Sequence, residues 1–99
     1  SNMANENKIV DGQLVEMTNA EQKEFDDNNT AWTEAAPTRR MIELRRQRDA
    51  LLVETDYMAL GDVTMTDAWK TYRQALRDIT TQTPTDDVLS NITFPTKPS

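Results

Sequence analysis

The chain has 99 residues, 36% of them hydrophobic, with a mean hydropathy of -0.76. Eleven Lys and Arg against seventeen Asp and Glu give a net charge of -6, which argues against a general nucleic-acid binder, because such a protein needs a basic face to displace phosphate counterions. With no Cys and no His, the sequence offers no disulfide, no thiolate or imidazole metal ligand and no cysteine nucleophile.

This length suits one domain with a single small core. No apolar run approaches the roughly 18 residues of a membrane span, and no signal peptide is visible. A soluble protein in a reducing compartment is expected. Ser1 and Asn2, ahead of Met3, read as a cleavage scar and are set aside. Charge is unevenly spread. Residues 1–37 hold two basic and eight acidic groups, whereas residues 38–80 hold eight basic and seven acidic ones.

The first stretch, "KIVDGQLVEMT", reads as a short hairpin, with an ordered loop as the alternative. Ile9 and Val10 precede Asp11-Gly12, a pair that favours the positive-φ turn between strands, and Leu14 and Val15 follow. "TNAE", Thr18 to Glu21, is a capping-box pattern that predicts a helix over about 18–35. The apolar stripe of that helix is thin. Phe25 and Trp32 stand one heptad apart, which suits a narrow seam and makes them interface candidates. The expectation is self-association, each acidic helix lying against the Arg-rich face of a second copy; the rival is docking along the chain's own second helix.

Pro37 disfavours helical Ala36 and suits the first position of a second helix, 37–55. Met41, Ile42, Leu44, Leu51 and Leu52 form its apolar side, and Arg39, Arg40, Arg45, Arg46 and Arg48 make it locally basic. Glu43 and Asp49 interrupt that cluster, and no aromatic platform accompanies it, so a charge-paired face is favoured over a phosphate-binding one. Gly61-Asp62 marks a turn, and Thr66 opens a third helix, 66–79. Trp69, Tyr72, Leu76 and Ile79 fall on one side of it. Aromatics at helical period are usually core. Leu51, Leu52, Trp69, Tyr72 and Leu76 are therefore expected to form one buried cluster. Arg48, set within an apolar face, needs a carboxylate, for which Asp56 or Asp78 is nearest; Arg73 lies at the margin of the stripe. Beyond residue 81 the chain is polar and turn-prone, then extended through two prolines.

Nothing in this pattern supplies a nucleophile–base pair or a phosphate-cradling loop, so no enzyme and no cofactor is expected. The adjacent carboxylates Asp26/Asp27 and Asp86/Asp87 lack calcium-loop spacing and read as solvated.

Residues 44–98 resemble the phage tail assembly chaperone-like domain. The resemblance rests on "LRRQRDALLVETDY", on "WKTYRQALRDI", and on the aromatic-Pro-x-Lys-Pro close in "TFPTKP". Tyr57 and Phe94 stand where that family more often has Trp. The acidic helix ending in "AAP" is similar to the leader often placed ahead of the domain. The resemblance brings no catalytic residues. It implies a phage-encoded, non-enzymatic protein that acts in tail or virion assembly by binding a phage tail or virion protein. That work would take place in the host cytoplasm, with no membrane partner. The alternatives are a structural component retained in the virion or a small regulator of a host protein. The expected fold is mostly α. Residues 1–17 carry the scar and hairpin, 18–36 an acidic leader helix, and 37–99 a chaperone-like helical domain with an extended tail.

Overall fold

The computed structural model describes residues 4–99, so the expected scar at Ser1 and Asn2 lies outside the described residues. The chain divides after Ala35 into two compact units, the second being Ala36–Ser99.

The first unit opens with the hairpin. Strands β1 (Asn7–Val10) and β2 (Gln13–Glu16) pair antiparallel, with Ile9 opposite Leu14 and Lys8 opposite Val15. Asp11 and Gly12 form the turn at φ 51° and 81°. Positive φ at both central positions is what a two-residue hairpin turn requires, and Gly12 adopts it without a Cβ penalty. Helix α1 (Asn19–Glu34) follows, and both halves of the capping box are in place at Thr18 and Glu21. Polar contacts join hairpin to helix. The Glu6 amide donates to Gln22 Oε1 at 2.6 Å, Asn5 Nδ2 donates to Met17 O and Asn19 Oδ1 at 2.9 Å, and Lys8 pairs with Glu21. No described residue of this unit is buried. Hydrogen bonds and one capping box shape it, not a core.

The second unit holds the core. Helix α2 (Ala36–Thr55) carries Pro37 in its first turn, where a missing N–H leaves no intrahelical bond unmade. A 3-10 turn (Asp56–Ala59) ends it, and the chain then runs irregularly past Gly61. The Thr66 hydroxyl accepts from the Trp69 amide at 3.3 Å and starts α3 (Asp67–Arg77), which passes into a second 3-10 turn (Asp78–Thr81). The expected mostly α architecture, three helices behind a short N-terminal strand pair, is the one found.

Its buried cluster joins Leu44 on α2, Ile79 after α3, and Leu89 and Ile92 from the C-terminal segment, with Met41 and Phe94 packed against it. Tyr72 and Leu76 are also buried, whereas Leu51, Leu52 and Trp69 are half-buried, the Trp69 ring meeting Tyr72 edge-on at 5.6 Å. The centre of the core thus lies nearer the start of α2 than the sequence reading placed it. The reason is the C-terminal segment, which folds back and brings Leu89 and Ile92 against Leu44.

Side-chain amides hold that segment. Gln82 Nε2 donates to Thr93 O and Gln82 Oε1 accepts from the Thr93 amide, both at 2.9 Å. Asn91 does the same for Thr83 O and the Thr85 amide, again at 2.9 Å. Each amide offers a donor and an acceptor together, and so stands in for one rung of a strand ladder. Asp86 Oδ1 accepts from the Val88 and Ser90 amides at 3.1 and 3.0 Å. Within that turn Leu89 sits at φ 59°, a left-handed conformation that costs a branched side chain energy, yet its side chain is buried. Burial of the leucine offsets the strain.

Leu76→Ala should cost ~2–5 kcal/mol of unfolding free energy, and half-buried Leu51→Ala only about 1 kcal/mol. Urea melts of the two variants decide this, and equal losses would contradict the core described. In the first unit, the Lys8 ammonium and the Thr18 amide hold the Glu21 carboxyl at about 2, below its ordinary 4.5. A carboxyl depressed on folding stabilises the fold above its unfolded value, and that contribution fades as pH falls from 4.5 towards 2. Carboxyl NMR titration should place the Glu21 midpoint near 2 and move it up towards 4.5 in Lys8→Ala.

Candidate functional site

Where α2 ends, its last carbonyls need partners, and Arg73 of α3 supplies them. Arg73 Nη1 donates to Leu52 O at 2.9 Å and to Thr55 Oγ1 at 2.5 Å, while Nη2 meets Asp56 Oδ1 at 2.9 Å. The Thr55 hydroxyl donates in turn to Leu52 O at 3.3 Å, and Thr55 is buried. Only 12% of the Arg73 side chain is exposed. A cation at a helix C-terminus also meets the negative end of the helix dipole. The Arg73 junction therefore locks α3 to α2.

The expected pairing of Arg48 with Asp56 or Asp78 is not the arrangement found. Arg48 Nε reaches Asp49 at 3.0 Å, Asp56 belongs to Arg73, and Asp78 accepts from Gln74 Nε2 at 3.0 Å. Asp49 is adjacent in sequence and exposed, so meeting it lets the Arg48 head stay at the surface. Asp56, on the 3-10 turn, is left facing α3.

Two other arginines of α2 are matched locally too. Arg46 pairs with Glu43 at 2.6 Å and Arg40 with Asp87 at 3.0 Å. The Arg46 guanidinium, and then the Gln47 amide, hold the Glu43 carboxyl at about 2. Lys97 reaches Glu54 at 3.0 Å, which raises the lysine's pKa. Much of the basic face of α2 is thus neutralised by carboxylates of its own unit.

What stands out on this unit is apolar. Val53, Tyr57 and Leu60 are all exposed, Val53 to 68%, at spacings of four and three along the path from α2 through its 3-10 turn. Leu60 already lies in extended backbone past that turn, so the three are neighbours along the chain and not a stripe of one helix. Sequence reasoning passed over this row because the helical period breaks at the 3-10 turn, although the spacing itself was visible. The interface candidates of the first unit, Phe25 and Trp32, are exposed as well, Trp32 to 63%. Among the described residues, no group of His, Cys, Asp or Glu could hold a metal ion, and no helix is long and apolar enough to cross a membrane.

These features define a small helical domain with an exposed apolar row. Residues 41–99 match the family model described as phage tail assembly chaperone protein, and the chain belongs to that family. The match covers most of the second unit and none of the first. No curated protein and no solved structure matches the chain. Within the matched region, "WKTYRQALRDI" has a clear structural use: it carries Tyr72 and Leu76 into the interior and Arg73 to the end of α2.

Arg73→Met should destabilise the second unit by ~1–3 kcal/mol, since it strands Thr55 and the Leu52 carbonyl. Arg48→Met, which loses only an exposed pair, should stay within about 1 kcal/mol of wild type. Chemical denaturation of both, followed by far-UV circular dichroism, checks the order; a larger loss for Arg48→Met would contradict it.

Proposed function

We propose that the protein serves phage tail assembly by binding a phage tail protein, without catalysis, in the host cytoplasm while tails are built. The family membership supports the setting. The observation that carries the binding mode is the row Val53, Tyr57 and Leu60, whose apolar side chains face solvent on the family-matched unit. Side chains of this kind contribute little to the fold where they stand, and they gain free energy when a partner covers them. Glu54, next to Val53 in sequence, is paired with Lys97, and Asp56, next to Tyr57, with Arg73, so these two carboxylates leave little net charge beside the row. A transient role in assembly fits a contact of this size better than permanent retention in the particle does, because obligate interfaces are larger and more hydrophobic.

Tyr57→Asp combined with Leu60→Asp should leave the melting temperature within about 4 °C of wild type, as exposed substitutions do. The same variant should fail to restore tail formation in a phage whose own copy is disrupted, scored by plaque count and electron microscopy of lysates. Full complementation would sink this reading. Mass spectrometry of purified virions tests transience, and a stoichiometric amount in the particle would place the protein among the virion components.

A further inference from the structure

The first unit lies outside the family match and has a surface chemistry of its own. None of its described residues is buried, so each described apolar side chain retains contact with water. A hairpin and a single helix with no core are marginal by themselves. In α1, Phe25 and Trp32 differ by seven positions and so share a face, since seven residues make nearly two turns. Glu24 and Asp26 flank that stripe, each about 100° from Phe25 around the helix axis.

The charge of the unit is one-sided. Both lysines of the unit are engaged inside it, Lys8 with Glu21 and Lys23 with Asp27. Glu6, Asp11, Glu16, Glu24, Asp26 and Glu34 have no lysine or arginine of that unit to meet them. A second copy is poorly suited to supply the missing positive charge. Residues 36–99 hold nine basic and nine acidic groups, and Arg40, Arg46 and Arg48 already meet Asp87, Glu43 and Asp49. A second copy therefore offers little net positive charge beyond its exposed Arg45, and the self-association expected from the sequence is an outcome the test below distinguishes.

We infer that α1 is a docking helix for a basic amphipathic segment of a different protein. Apolar residues of that segment would cover Phe25 and Trp32, and its Lys or Arg residues would face the carboxylates at either margin. The two units then bind separately, the first through charge and two aromatic rings, the second through its near-neutral apolar row.

The test uses the full chain and a fluorescent synthetic peptide of Leu and Lys, ~18 residues long and patterned as an amphipathic helix. Its control is a peptide of identical composition whose order destroys the stripe. Anisotropy should show the patterned peptide binding more tightly than its control, and affinity should fall as salt rises. Replacing Phe25 and Trp32 together with Ser should weaken binding tenfold or more, on the order of the loss of two buried rings. Circular dichroism of that variant should match wild type, because neither ring belongs to a core. Equal binding of the two peptides, or full binding by the ring-less variant, would show mere attraction of cations and overturn the inference. So would no binding at all. Sedimentation equilibrium that finds a dimer dissolved by Trp32→Ala would make a second copy the occupant. Peptide binding that emerges only after Arg45 and Arg46 are replaced by Gln would assign the stripe to the chain's own α2. Tyr57→Asp with Leu60→Asp should leave peptide binding unchanged, which keeps this result separate from the tail-assembly contact.

Discussion

The Arg73 guanidinium is the contact on which the second unit's helix packing depends. It sits where α2 would otherwise present unbonded carbonyls to a partly dry interior, and it satisfies Leu52 O, Thr55 Oγ1 and Asp56 at once. Burying an arginine is costly unless its donors are met. Here three acceptors from one helix end meet it, so the cost is offset only when α2 stops at Thr55 and α3 lies alongside. A lysine would offer a point charge without the planar fork that reaches two acceptors from one side. The rest of the unit follows: with α3 fixed, Tyr72 and Leu76 face inward, and Ile79 is delivered to Leu44.

Much of this was legible in the residues. The capping box at Thr18, the Asp11-Gly12 turn and the cap at Thr66 are local signals, each satisfied by atoms within a few positions, and the structure shows all three. The inward face of α3 was readable from its period. The centre of the core was not. Leu89, Ile92 and Phe94 lie in a stretch with no helical or strand period, and what folds them back is a set of amide clamps at Gln82 and Asn91. Such clamps depend on tertiary position, which no spacing rule encodes. The Arg48 pairing failed for a related reason. The sequence reading passed over adjacent Asp49 for Asp56 and Asp78, which other side chains claim.

The division of the chain gives its charge a simple logic. In the second unit, acidic and basic side chains balance and largely pair, leaving an apolar row as its distinctive surface. In the first, carboxylates exceed lysines, and no described apolar side chain is buried. One unit resembles an ordinary small domain that folds by excluding water. The other is shaped by polar bonds, with its rings exposed. Salt should accordingly act on the two in different ways, weakening the attraction around α1 and leaving apolar contacts of the second unit little changed.

Because Leu44 closes against Leu89 and Ile92, the order of synthesis bears on how the chain folds. The hairpin and α1 are complete as soon as their own residues have left the ribosome, since their bonds are local. Helix α2 must wait, its apolar side uncovered, until residues 89–94 have followed it out and turned back. Closing a loop of that length costs entropy before any contact compensates. During the delay a strongly negative segment stands ahead of α2 on the nascent polypeptide. Like charge on neighbouring chains opposes their association at the stage when sticky surface is most exposed.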